Sequence, residues 1–448
     1  MKIKRFGQVT LILVIFLLAG MVVSCNVNKI TNEQEELIDE LDQLMIPLYS
    51  PPYRLLDSEV SFLDQLKDAK IVGMGEATHG TKEFFQMKHR IFRYLAEYHG
   101  HKAFGLEADF SEGVYLNRCV AGDQENLEEE LRGKMRFWTT RTKSCLLMLE
   151  WMKNYNQGRA QEDRVHYFGI DCQIVRYQRP LLEEYLMRTN PQLWEEISPL
   201  IIHLHNLTYE EWQAMEDSVY QDFKAQLEAI EERFAAEREM LIAQSSEREY
   251  LLHERILVTI RQALIIMCEA QPGWFRDKFM AENALWIADY FGANTRISIW
   301  AHNDHITKTG VMIGGYNTGA HLEEALGPAY QTIGFTFCVG KFTAYGFKNG
   351  ATTPREAQEI DTEPPSDSVN FLLYHASLPN FAVHLSGVPS GSKWEQWLQK
   401  THPILLIGAV YLMDPPVHYS HFISMGQYDW LIHFNDTEAS EVLAPPGT

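Results

Sequence analysis

Apolar and polar positions follow two different periods along most of this chain. Short apolar runs at residues 70–75, 102–107, 165–171, 296–302, 331–337, 381–385 and 404–407 read as strands. Between them, residues 82–98, 111–121, 144–156 and 276–291 place apolar side chains every three or four positions, the spacing of one helix face. Strands that are apolar throughout are buried on both sides, and strands that alternate with helices pair in parallel. The pattern predicts an α/β fold with a mostly parallel central sheet flanked by helices. Residues 180–270 break the rhythm: no strand is evident and charges recur at helical spacing, so a long helical insertion is expected there. Such an insertion either covers one edge of a site or packs as outer-layer helices.

The two ends read differently. Lys2, Lys4 and Arg5 precede an apolar run at 11–23, too short for a typical spanning helix, and the run leads to Ser24-Cys25. This loosely matches a lipobox. Residues 1–25 are therefore expected to be a lipoprotein signal peptide, with Cys25 lipidated and the chain anchored in the cell envelope of a bacterium, the outer membrane being the first candidate. A single spanning anchor is the alternative. Residues 26–48 read as a polar tether and an N-terminal helix over 33–45. The Pro51-Pro52 pair then breaks the chain before a short helix at 58–67. The tail beyond Glu438 is expected to be loose.

Composition narrows the partner. The chain of 448 residues carries a formal charge of −21, which argues against nucleic acid and against a basic membrane-binding patch. A small molecule remains, and the acidic field would draw a cationic one. Apart from Cys25, the cysteines at 119, 145, 172, 268 and 338 are widely spaced in mostly apolar runs, which suits buried small hydrophobes and not a disulfide framework.

Four strand candidates finish on an ionisable group: Glu76, Glu107, Asp171 and His302. In open α/β sheets, ligands bind beyond the carboxyl ends of the strands. Glu76-Ala77-Thr78-His79-Gly80 sets an acid and an imidazole on one turn, and His302-Asn303-Asp304-His305 adds two imidazoles after another strand. A histidine titrates near neutrality, and a neighbouring carboxylate fixes its tautomer and stabilises its charged form. A lone strand-end histidine is more often structural; the set of five residues on one rim is what points to chemistry. Two chemistries use it. In one, His79 is the general base for water attacking an ester or lactone carbonyl, with His302 or His305 stabilising the oxyanion. In the other, histidines and carboxylates hold a divalent metal that acidifies bound water. The chain has no Gly-x-Ser-x-Gly elbow, so activated water is preferred over a serine nucleophile. If Glu76 and Glu107 share a cavity, repulsion between them would raise one pKa.

The blocks Gly75-Glu76-Ala77-Thr78-His79-Gly80-Thr81-Lys82-Glu83-Phe84-Phe85, Gly105-Leu106-Glu107, Phe168-Gly169-Ile170-Asp171, Lys278-Phe279-Met280-Ala281 and Ala301-His302-Asn303-Asp304-His305 resemble, in order and spacing, the erythromycin esterase family. They span most of residues 70–340. The resemblance implies one hydrolase domain over 49–448 that opens a macrolide lactone or similar ester with water and without a covalent enzyme intermediate. His79 then falls on the family's base, with Glu76, Glu107, His302 and His305 as the other catalytic residues. Lys88 stands where the family usually has arginine; Lys88, Asp171 and Asn303 are assigned to substrate binding. No cofactor is required by this reading, although a divalent metal at the His/Glu cluster stays open. The competing reading is a lipoprotein that captures a metal or small molecule in the same pocket without turnover.

Overall fold

The computed structural model describes residues 30–48, 61–309, 311–312, 315–413 and 418–446. The signal segment, Cys25 and the Pro51-Pro52 break lie outside the described residues. Eight strands carry the architecture: β1 (Ile71–Met74), β2 (His101–Asp109), β3 (His166–Asp171), β4 (Arg296–Trp300), β5 (Tyr330–Lys348), β6 (Ala351–Ile360), β7 (Asn380–His384) and β8 (Trp430–Thr437). They belong to one ten-stranded sheet in the order β7-β8-β5-β1-β4-β2-β3, with β6 beside β5. Ile46–Pro47 and Val410–Leu412 are its other two strands. Every pairing from β8 across to β3 is parallel.

Both faces of this sheet are covered, which is why its strands read as unbroken apolar runs. Val72 and Phe104 point to one core with Phe92 of helix α2 (Lys82–His99) and Leu149 of helix α3 (Lys143–Asn156). Ile71, Ala103, Ile297 and Ile299 point to the other, against Ile287 of helix α4 (Pro272–Tyr290). Residues 178–268 form six helices. Their buried Leu181, Tyr185, Leu257 and Ile260 join this second core, so the stretch packs as an outer layer over the sheet.

Other sequence expectations need correction. The strand at 381–385 is β7, and it runs antiparallel to β8. The run at 404–407 does not enter the main sheet: only His402–Ile404 is extended, paired with His421–Ile423. The rest stays buried because its amides bond elsewhere, Leu405 N–H to Asn370 Oδ1 at 2.8 Å and Ile407 N–H to the Ala77 carbonyl at 2.6 Å. Two of the eight labelled strands were not foreseen, nor were the short strands Ile46–Pro47 and Val410–Leu412. β8 is buried on both sides and interrupted by His433; β6 is an exposed edge strand whose Pro354 sits where the register with β5 shifts. Nor is the tail loose: Ala439 and Val442 form bridges to Thr81 and Thr142.

The order of strands decides where a ligand can sit. From β1 the chain moves to β2 and β3 on one side, returns to β4, and then crosses to β5 on the other. The carboxyl ends of β1, β4 and β2 therefore flank the point where strand order reverses. Asn303, just past β4, locks this junction: its Nδ2 donates to the Phe335 carbonyl at 2.7 Å and its Oδ1 accepts the Phe335 N–H at 3.1 Å. Asn303→Ala would leave both Phe335 backbone groups unpaired inside the protein. A loss of roughly 2–4 kcal/mol is expected in urea unfolding; an unchanged midpoint would show that the side chain does not tie the strands.

Candidate active site

Past Met74 the chain must turn sharply, and neighbouring side-chain and backbone atoms leave room for little but glycine. A Cβ on Gly75 would stand 2.0 Å from Asn303 Oδ1, and one on Gly80 would stand 1.9 Å from the Thr343 carbonyl oxygen. Between them, Thr78 Oγ1 accepts the Gly80 N–H at 3.1 Å and meets Thr81 Oγ1 at 2.7 Å. This turn presents Glu76 and His79 together.

Glu76 is buried and serves three donors. Its Oε1 lies 2.6 Å from His79 Nδ1, while Oε2 accepts from Lys88 Nζ and from Trp300 Nε1, each at 2.6 Å. Burial pushes this carboxyl up, but the Lys88 ammonium and the His79 contact outweigh it and hold the group below its ordinary value. Burial in turn lowers Lys88 to about 8, against the upward pull of Glu76. A carboxylate on Nδ1 favours the tautomer whose Nε2 carries the lone pair.

A second buried network closes the opposite side. Arg276, on α4, grips Asp171 with Nε at 3.1 Å and Nη2 at 2.8 Å, and its Nη2 also donates to Glu107 Oε1 at 2.7 Å. Glu107 Oε2 accepts the His302 backbone N–H at 2.9 Å. His305 stands between two carboxylates, with Nδ1 2.7 Å from Asp277 Oδ1 and Nε2 3.3 Å from Glu107 Oε1. Burial opposes its charge, yet Glu107 and Asp277 prevail and raise it to about 10. Its Nε2 is also 3.0 Å from Arg276 Nη1. With the ring charged, both nitrogens are donors and that contact is not a hydrogen bond. Burial raises Glu107, but His305 and Arg276 overcome it and hold the carboxyl well below the usual range.

His302 behaves oppositely. Burial and the neighbouring His79 lower it to about 4, so the ring is neutral. Its Nε2 lies 3.3 Å from the Ile407 carbonyl and donates to it, which leaves the lone pair on Nδ1. The His302 and His79 rings lie 5.0 Å apart, centre to centre.

A cavity of about 200 Å³ opens between the two networks, lined by Glu76, His79, Glu107, Arg276 and Trp300 on the sheet side. Phe137, Trp138, Thr139 and Thr140 form a wall from a loop, and Leu106, Gln173 and Ala409 complete the lining. No lining residue comes from 178–268. A larger hollow of about 890 Å³, around Glu125–Glu129 and Glu150, holds no histidine.

Of the five expected catalytic residues, the structure brings Glu76, His79 and Glu107 to the cavity surface, while His302 and His305 are buried behind it, against His79 and Glu107. Nor does it bring Lys88, Asp171 or Asn303 to that surface. Lys88 and Asp171 are fully buried and support Glu76 and Arg276 from behind; Asn303 is spent on Phe335. The expected repulsion between Glu76 and Glu107 is absent, because each has its own cations and both carboxyls are lowered. Arg276 was missed by sequence reasoning, although it lies two positions before the Lys278-Phe279-Met280-Ala281 block; so were Trp300 and Asp277. Among the described residues no group of three or more His, Cys, Asp and Glu side chains could hold a metal ion. The donor set does not fit one, since its carboxylates already face arginine, lysine or imidazolium.

His305 yields a pH signature. Its folded pKa lies above the ordinary 6.5, so its stabilisation is complete below about 6.5 and is lost as pH rises toward about 10. The gap in urea midpoint between the protein and His305→Gln should narrow across that window. A gap that is constant with pH would mean that the ring is not charged.

Residues 96–437 match the family described as erythromycin esterase. The chain is 25% identical over 377 residues to erythromycin esterase type II of Escherichia coli, covering 74% of this chain and 86% of that one. A solved Bacillus cereus protein has 24% identity and a TM-score of 0.80, covering 92% of this chain and 99% of that one. A mutant of the erythromycin esterase EreC, solved in its open conformation, aligns at 18% identity with a TM-score of 0.63, covering 86% of this chain and 95% of that one. With the family match spanning most of its length, this chain belongs to the erythromycin esterase family and is an ester hydrolase.

Proposed function

We propose that the protein cleaves a carboxylic ester or lactone with water activated by His79, without a covalent enzyme intermediate. The observation that carries this reading is the Glu76–His79 contact of 2.6 Å at the edge of the cavity. With Nδ1–H held by the carboxylate, Nε2 takes a proton from water as oxygen attacks the acyl carbon; Glu76 stabilises the imidazolium that forms. The Arg276 guanidinium, which lines the same cavity, stabilises the tetrahedral oxyanion. When the C–O bond breaks, His79 returns the proton to the leaving alkoxide, giving an acid and an alcohol. His305 keeps Glu107 ionised and Arg276 in place. Among the described residues no serine or cysteine lines the cavity; its aliphatic hydroxyls are those of Thr139 and Thr140, the latter held by the Phe137 carbonyl at 2.8 Å, and water is favoured as the nucleophile.

Drug-sized sites run to roughly 300–1,000 Å³. The cavity of about 200 Å³ therefore suits the reacting ester and its nearest atoms, with the remainder of a lactone as large as a macrolide lying outside. Purified mature protein incubated with macrolides and simple esters should add the mass of one water to its substrate. His79→Ala should lower turnover by roughly 10²–10⁴-fold at unchanged melting temperature; near-normal turnover in that variant would remove His79 from the reaction.

We propose as well that Cys25 is lipidated and tethers the chain to the bacterial cell envelope. The basic residues at 2, 4 and 5, the apolar run at 11–23 and the following cysteine support this. Cys25→Ala should move the protein from the membrane fraction to the soluble one, and an unchanged distribution would contradict the anchor.

A further inference from the structure

The loop that walls the cavity leads directly into a patch of positive charge. Arg141 follows the lining residue Thr140, and Arg176 lies three positions after the lining residue Gln173. Arg355 comes from β6 and sets its guanidinium over the ring of Trp138, itself part of the cavity wall, at 5.4 Å. Trp138 is braced from the same hairpin by Tyr345, ring centres 6.3 Å apart. These arginines feel one another: burial, Arg355 and Arg176 all depress Arg141, in that order, and Glu112 offsets them only in part. Lys134 adds a further cation, its Nζ 4.9 Å from the Tyr177 ring that also carries the Arg176 guanidinium.

Among the described residues these three arginines share one ion pair, that of Arg176 with Glu112. Glu112 pairs with Arg176 at 3.0 Å and accepts the Arg136 backbone N–H, but it is wholly buried beneath the patch, and burial raises it to about 7. Arg141 Nε is buried with no hydrogen-bond partner among the described residues. An unpaired guanidinium nitrogen one residue along from the cavity wall, with two further arginines beside it, calls for an anion that the protein itself does not supply.

We propose that Arg141, Arg176 and Arg355 form a subsite for an anionic group of the substrate, a carboxylate or a phosphate, so that the ester hydrolysed at His79 is an acidic one. This deepens the hydrolase reading above and rests on it for turnover, but not for binding. The planar forks of arginine match both oxyanions, and Trp138 gives the linking atoms an apolar wall. Water still attacks the ester carbonyl beside His79; the anion is held and not changed.

The test compares three para-nitrophenyl esters of similar size: the butyrate, the half ester of glutaric acid, and an ester with a quaternary ammonium end. The half ester should show the highest kcat/KM, with a KM that rises with salt. Arg141→Gln and Arg355→Gln, made separately, should each lower kcat/KM for the half ester through KM, by roughly 10-fold more than for the butyrate. Equal losses on both esters, or no loss, would overturn the subsite. Calorimetry of the His79→Ala protein with glutarate and with inorganic phosphate separates the two anions and needs no turnover. If no ester is cleaved but glutarate or phosphate binds and Arg141→Gln weakens it, the subsite stands and the esterase reading falls. If neither anion binds and the half ester is not preferred, the subsite falls.

Discussion

The site depends on one buried guanidinium. Arg276 reaches from a helix on one face of the sheet to the ends of two strands, where Asp171 and Glu107 receive it. Two carboxylates stripped of water would not stay ionised there alone, and removing one partner of a buried ion pair typically costs about 3–5 kcal/mol. The Arg276 pairing makes the junction of α4, β2 and β3 an electrostatic necessity and not only a packing preference. Lys88 does the same for Glu76 on the far side of the cavity, with Trp300 beneath its ammonium at 4.0 Å.

These anchors differentiate three residues of one type. His305 lies between two carboxylates and is held charged; His302 meets a backbone carbonyl and is held neutral. His79, tied to Glu76 and partly exposed, is placed to exchange a proton with the cavity. A division of labour that looks like chemistry is thus set by what each ring touches: acids, a carbonyl, or an acid and open space. The same surroundings explain why the two glutamates do not compete for one proton. Each has been given its own cation by a different element of the fold.

Net charge and local charge differ beside the cavity. The chain as a whole carries −21, yet the residue that follows the cavity's loop wall is Arg141, with Arg355 and Arg176 close enough to depress it. Fields from surface carboxylates decay over about 10 Å at ordinary salt, so what a ligand meets at the rim is local. The arginines come from three separate stretches of chain, and only folding brings them together.

The sequence by itself determined the alternation of strand and helix, the parallel sense of the central strands and the acids and imidazoles at their ends. Those features are local: burial on both faces demands continuous apolar runs, and a strand-end group follows its strand wherever it goes. It also marked residues 180–270 as helical. Tertiary structure alone decided strand order, the antiparallel β7, and the insertion of β8, whose run of Trp430, Leu431, Ile432, His433 and Phe434 gives no neighbour's name. It decided that Lys88, Asp171 and Asn303 stand behind the cavity and that Arg276 stands in it, because an ion pair between residues 105 positions apart has no period to read. Periodicity records which side of an element is buried, but not which buried charge will meet it.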